Sequence, residues 1–217
     1  MSKKEDSFML ESLINIFTVE KGKLKILLER KKEDPYKGYW ILPNETLKKD
    51  TTLEVTIESI LNRTINTSKI YIEQNYTFSG IDRYPGNRII STSYIGLVDN
   101  KILKLNDEIE LNWFNLDELP KIGYDHKKII ETSKELLKTK LVNTTILKNL
   151  FPSEFTLPEL QSVFESIMNK NLDRRNFRKK FLTLNLIEET GNNSVGGSGR
   201  PAKLYKFKEN IKDVNLF

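Results

Sequence analysis

Cysteine is absent from the 217 residues, and histidine occurs once, as His126. Disulfides, thiolate nucleophiles and cysteine-bound zinc are therefore excluded, and one imidazole argues against a histidine-based metal site. Any Ser-His-Asp catalysis would have to run through His126. No apolar run approaches the ~20 residues of a membrane-spanning helix, and Ser2-Lys3-Lys4-Glu5-Asp6 is not followed by an apolar h-region. A cytoplasmic protein without membrane contact is expected. There is no internal repeat, and low complexity is confined to the glycine-rich stretch 191–199.

What is present is unevenly placed. The net charge is +5, but residues 143–217 hold 12 Lys+Arg against 8 Asp+Glu, while residues 1–142 hold 23 against 22. The length suits two modules, and the basicity belongs to the second, as a polyanion partner there would require. Domains spanning 1–142 and 143–217 are expected.

The densest charge lies in Lys170–Lys180, with six cations and one acid. Phe177, Phe181 and Leu184 recur at steps of four and three, so the segment reads as an amphipathic helix that packs on one face and presents cations on the other. Arg175, Lys179 and Thr183 hold the polar face, flanked by Asn176 and Arg178, and Leu182 strays onto it. Upstream, Thr156-Leu157-Pro158-Glu159 has capping-box spacing, and Leu160, Val163, Phe164, Ile167 and Met168 follow at helical intervals. Asn169–Asn171 break that pattern and Asp173 caps the next helix. The order is helix, turn, helix.

Downstream, Leu186–Thr190 reads as a strand, Gly191–Gly199 as a flexible tip with Arg200-Pro201 at its base, and Ala202–Phe207 as a returning strand. A basic hairpin after a reading helix is a wing. The glycines do not make a phosphate loop, because they lack a Gly-Lys-Ser/Thr ending and precede a strand. This pattern points to phosphate contacts from Arg174, Lys180, Arg200 and Lys203. Base contacts fall to Arg175, Asn176, Arg178 and Lys179, since Arg forks onto guanine edges and Asn onto adenine edges.

In the first domain, Leu13–Thr18 and Leu24–Leu28 form a hairpin pattern around Glu20-Lys21-Gly22-Lys23. Gly38-Tyr39-Trp40-Ile41-Leu42-Pro43 comes next, then a helix near residues 52–65. Strands follow at 69–78, 88–98 and 111–114, and a last helix at about 125–140. Strands, helix, strands, helix predicts an α+β sandwich.

Trp40-Ile41-Leu42-Pro43 followed by one amphipathic helix resembles the entrance to a Nudix domain. That family's box, Gly-x5-Glu-x7-Arg-Glu-apolar-x-Glu-Glu-x-Gly, clusters glutamates that hold magnesium against a diphosphate. In the register that keeps Ile60 and Thr64, this chain has Asp50, then Glu58 in place of the arginine. Ser59, Asn62 and Arg63 replace the glutamates, Ile65 the closing glycine, and Asn44-Glu45 a glycine pair. Most of the multi-carboxylate site is gone, which implies no catalytic residue, no metal and no cofactor.

A degenerate Nudix-like domain joined to a winged helix resembles the Nudix-related transcriptional regulators, known for control of NAD metabolism and pentose use. The resemblance rests on the altered box and on segments 71–78, 83–91, 119–126, 151–157, 174–178 and 199–202. It implies a Nudix-like α/β/α sandwich, then a winged helix-turn-helix, in a homodimeric repressor. Its partners would be an operator duplex and a small effector, either ADP-ribose or a sugar or sugar phosphate. The alternatives are a Nudix hydrolase of ADP-ribose or a related nucleoside diphosphate with an appended nucleic-acid-binding domain, or a tail that docks protein or RNA.

Candidates for the effector cleft are Trp40, Glu73, Tyr76, Phe78, Arg83, Arg88, Asp125 and His126. Each also has a structural reading. Trp40, Tyr76 and Phe78 fit a half-buried sheet, Arg83 and Arg88 fit surface ion pairs beside a Pro-Gly turn, and Asp125 fits a helix cap with His126 in the first turn.

Overall fold

The computed structural model describes residues 8–65, 67, 69–99, 103–143, 146–151, 153–194, 201–209 and 211. Its first part is built around β1 (Met9–Glu20), in which eight consecutive residues are buried. That uninterrupted burial follows from position, because β1 has strands on both sides and helices over both faces. It runs antiparallel to β2 (Lys23–Arg30) through a turn in which Lys21 and Gly22 take φ of 51° and 74°, a geometry that matches strand twist. On its other side it runs parallel to β6 (Ile89–Leu97) from Met9 to Phe17.

Two short strands missed by periodicity complete this region. β3 (Trp40–Ile41) pairs with β2, and β4 (Asn44–Thr46) pairs with the start of β1. With β5 (Tyr71–Phe78) and β7 (Leu111–Asn115) the sheet has seven strands, ordered β3-β2-β1-β6-β5, with β4 on β1 and β7 on β2. α1 (Leu53–Thr64) covers one face, setting Ile57, Ile60 and Leu61 against Ile14, Ile16 and Leu27. α2 (His126–Asn143) covers the other, setting Ile129, Ile130 and Leu137 against Leu13, Phe17, Ile26 and Leu28. Alternate residues of β1 thus serve opposite layers, the α/β/α sandwich that the family resemblance implies.

The remainder contains a 3-10 turn (Ile146–Asn149), β8 (Phe155–Thr156), α3 (Leu157–Met168) and α4 (Arg174–Thr183), then β9 (Ile187–Asn193) and β10 (Lys203–Phe207). Thr156 and Glu159 form the capping box, with the Thr156 N–H donating to Glu159 at 2.8 Å. Asn169, at φ 50°, ends α3, and the Asp173 carboxylate caps α4 by accepting from the Asn176 N–H at 2.9 Å. Gln161 and Glu165 clamp the turn between them. Glu165 accepts from the Leu172 N–H, and Gln161 donates to the Leu172 carbonyl, each at 2.8 Å. β9 continues through Gly191, which the sequence reading gave to the wing tip; the glycine's φ of 86° lets the strand bend there without ending. The tip itself, 195–200, lies outside the described residues.

The two parts share one core. A single buried cluster runs from Leu13 and Phe17 through Ile129 and Leu137 to Phe164, Phe177 and Phe181. Phe164 of α3 meets the rings of Phe177 and Phe181 edge-on at 5.4 and 5.6 Å. Removing it opens a void that α4 rests on. Phe164→Ala is therefore expected to lower unfolding free energy by about 3–5 kcal/mol in urea titrations; a loss below 1 kcal/mol would contradict this packing.

Candidate functional site

The predicted effector residues do not all meet. β3 and β5 form opposite edges of the five-strand path, so Trp40 stands about 19 Å from Glu73 and Tyr76 by strand spacing alone. Trp40 packs edge-on against Phe114 at 4.7 Å, with the Arg30 guanidinium 5.7 Å from its ring. Glu73 is tied to Tyr71 at 2.5 Å and to Lys140 of α2 at 2.7 Å. Burial works to raise its pKa, but those two partners prevail and hold it below the usual carboxylate range. Phe78 is buried, and Tyr76, 57% exposed, meets it edge-on at 5.0 Å.

Arg83, Asp125 and His126 do come together, where the loop between β5 and β6 meets the start of α2. The side chain of Arg83 is 4% exposed. Its Nε and Nη2 fork onto the two Asp125 oxygens at 3.0 and 2.8 Å. Its Nη1 donates to Ser91 Oγ and to the Ile89 carbonyl, and lies 3.8 Å from Glu11. Ser91 in turn donates to Glu11. Burial pushes the Glu11 carboxyl above its ordinary range, against the pull of Ser91 and Arg83. The Asp125 carboxylate is thus spent on Arg83 rather than on a helix cap.

His126 is fully buried, and its Nδ1 accepts from the Leu42 N–H at 3.0 Å. With Nδ1 as acceptor, the neutral ring carries its proton on Nε2. Burial drives its pKa down to about 3; nearby Asp125 works against that and Arg83 adds to it. Arg88, half-buried, makes none of these contacts. It donates to the Gly80 carbonyl at 2.9 Å and lines an open cleft of about 470 Å³ with Ile81, Asp82 and Tyr84.

Sequence reasoning missed a tyrosine cluster here. Tyr84 stacks on Tyr124 at 4.1 Å, and Tyr36 meets Tyr124 edge-on at 4.7 Å and Tyr39 at 5.6 Å. Burial, with a hydrogen bond to Tyr124, raises the Tyr84 hydroxyl well above its usual range. Three separate loops supply these rings, and Tyr36 and Tyr124 hold left-handed φ of 71° and 55°. Linear periodicity carries no signal for such a cluster.

On α1 lies Arg63, which the resemblance sets at the box position of a glutamate. Its Nη1 pairs with Glu29 at 2.7 Å and its Nη2 donates to the Asn44 carbonyl at 3.3 Å. Ser59 Oγ donates to Glu45 at 2.8 Å. Asp50 and Glu58 face solvent, and no three His, Cys, Asp or Glu side chains converge as metal ligands among the described residues.

The reading helix is arranged differently. Phe177 and Phe181 are buried, while Arg174, Arg175, Asn176, Arg178, Lys179 and Leu182 are exposed and Lys180 is half-buried. None of these five cations has a carboxylate within salt-bridge range among the described residues, whereas Lys203 on the wing pairs with Glu189 at 2.8 Å. Arg200 lies outside the described residues.

A sandwich of this topology joined to a helix-turn-helix and β-hairpin is the architecture that the resemblance to the Nudix-related transcriptional regulators implies. Residues 147–207 match the family of NrtR DNA-binding winged helix domains. The chain is 29% identical over 207 residues to the ADPR responsive transcriptional repressor NtrR of Acinetobacter baylyi, covering 93% of this chain and 82% of that one. It is also 34% identical over 109 residues to the ADP-ribose pyrophosphatase of Methanocaldococcus jannaschii, covering 49% of this chain and 64% of that one.

Among solved structures, Shewanella oneidensis NrtR complexed with a 27mer DNA superposes with a TM-score of 0.78 at 28% identity, covering 92% of this chain and 93% of that one. The Nudix domain of the same protein, complexed with ADP ribose, shares the fold at a TM-score of 0.55 and 24% identity, covering 63% of this chain and 93% of that one. The chain is thus similar to NrtR proteins over nearly its whole length, and residues 147–207 match the NrtR winged helix model.

Two predictions follow from the buried network. Arg83→Ala leaves buried acids uncompensated and is expected to cost about 3–5 kcal/mol in urea denaturation, against less than about 0.5 kcal/mol for Arg88→Ala. Equal costs would contradict the burial difference. For His126, a depressed folded pKa means a stability contribution present above the unfolded value of 6.5 and lost as pH falls towards about 3. The single imidazole is expected to stay neutral in proton NMR from pH 8 to 5; titration near 6.5 would contradict its burial.

Proposed function

We propose that this protein is a cytoplasmic transcriptional repressor that binds a palindromic operator as a two-fold dimer. In this reading residues 1–142 hold a small effector and residues 143–217 bind DNA. The observation that carries it is the exposed face of α4, where Arg174, Arg175, Arg178, Lys179 and Lys180 stand without acid partners among the described residues. Arg175, Asn176, Arg178 and Lys179 are assigned to base edges, and Arg174, Lys180, Arg200 and Lys203 to phosphates. Lys203 would exchange Glu189 for phosphate on binding.

ADP-ribose is the effector that the name of the Acinetobacter relative suggests, with a sugar or sugar phosphate as its rival. Arg88 and Tyr76 are the accessible candidates for contacting it. The Arg83, Asp125 and His126 network is assigned to holding the loop that carries Arg88. A regulatory rather than hydrolytic role is supported by Arg63, whose guanidinium, paired with Glu29, brings positive charge to a place where a magnesium site needs carboxylates.

Duplexes enriched from a random pool by the full-length protein provide the test. Arg175→Ala is expected to weaken binding by about 1–3 kcal/mol and relax sequence choice, while added ADP-ribose shifts the affinity. Wild-type affinity should fall about 10³–10⁵-fold between 50 and 200 mM salt if six to ten phosphates are contacted. A flat salt response, or no enriched sequence, would overturn the DNA reading. Magnesium-dependent release of AMP from ADP-ribose would favour the hydrolase instead.

A further inference from the structure

Leu182 does not fit a purely cationic reading face. It is 42% exposed, and it is the exposed large hydrophobic side chain among the described residues of the winged helix. It lies three, four and seven residues after Lys179, Arg178 and Arg175, which places all four side chains on one side of α4. The stretch is not free to turn it inward. Phe177 and Phe181 fix the opposite side in the core, and the Leu182 carbonyl is held by the Leu184 N–H and by the N–H of Asn185, whose φ of 55° ends the helix.

A leucine on that face loses favourable burial unless its partner offers apolar surface among acceptors that suit arginine. The floor of the DNA major groove offers that combination, because guanine presents N7 and O6 while thymine presents its 5-methyl group. A phosphate backbone or an acidic protein surface would satisfy the cations and leave the leucine wet. We infer that Leu182 is a specificity-determining residue that packs on a thymine methyl group in the major groove. The inference rests on the DNA-reading function proposed above.

Register follows from the helix. Leu182 stands about 6 Å along the axis from Arg178, at 1.5 Å per residue. That displacement equals roughly two base-pair steps of 3.4 Å. With α4 lying along the groove, the thymine is expected within about two base pairs of the base pair that Arg178 contacts.

The test uses the full-length protein and a duplex enriched from a random pool, in which each thymine is replaced in turn by deoxyuridine. This removes the methyl group and leaves pairing intact. One position per half-site is expected to weaken wild-type binding about fourfold, the worth of one buried methyl-sized group. Leu182→Ala is expected to bind the thymine and uracil duplexes equally at that position, with only a small change in thermal stability because the residue is 42% exposed and outside the buried cluster. Leu182→Met, which keeps apolar reach, should retain the thymine preference.

No uracil sensitivity in the wild type, or a sensitivity that survives in Leu182→Ala, would overturn the assignment while leaving DNA binding in place. A pool from which nothing is enriched removes the DNA function itself, and the assignment with it.

Discussion

Helix α3 is packed on both sides, and the relation between the two halves of the molecule depends on it. One side leans on β2 and α2 of the sandwich, and Ser162 donates to the Gly22 carbonyl in the β1–β2 turn at 2.9 Å. The other side, through Phe164, carries Phe177 and Phe181, so the cationic face of α4 is aimed by what lies beneath α3. Even the turn is fitted to the contact. A Cβ added at Gly22 would come within 3.0 Å of Ser162 Oγ, so glycine is needed there for close approach as well as for its positive φ.

The two ends of the chain use positive charge in opposite ways. Arg83 and Arg63 are enclosed by acids and carbonyls, and their guanidinium groups work as struts that fix a loop and a helix. Among the described residues the cations of α4 form no salt bridge, although Arg174 and Arg178 lie near enough to Glu165 and Glu189 to lower those carboxyls. Arg83 and Arg175 cannot be distinguished by residue type; what separates them is whether Glu11, Ser91 and Asp125 converge on the guanidinium. An arginine whose donors are already committed has little left to offer a phosphate, which is why the half-buried Arg88, which lines an open cleft, is the better candidate for a ligand although the two flank the same turn.

Much of this was legible in the sequence. Long periodic segments and caps were read correctly, because Thr156, Glu159 and Asp173 act on backbone groups within three residues of themselves. The α1 helix and the β1–β2 turn are equally local. What escaped was non-local. Two- and three-residue strands such as β3, β4 and β8 exist because a longer neighbour pairs with them, and no period can register in so few residues. The tyrosine cluster is drawn from three loops, and the wide separation of Trp40 from Tyr76 follows from strand order, which the sequence pattern leaves open. The sequence alone suits Asp125 to a helix cap, because its partner Arg83 lies 42 residues away.

The shared core also limits how an effector can act. A ligand shifts a conformational equilibrium only by its difference in affinity between the two states. A hinge between the halves would have to part Phe164 and its neighbours from the cluster that includes Phe17 and Leu137, and exposing each such side chain costs about 1.5–3 kcal/mol. Several such exposures exceed the 1–3 kcal/mol typical of allosteric coupling. Moving one whole protomer against another exposes none of this core. In the dimer proposed above, rigid-body change between subunits is therefore the less costly route by which an effector at the loop carrying Arg88 would alter the spacing of the two α4 helices.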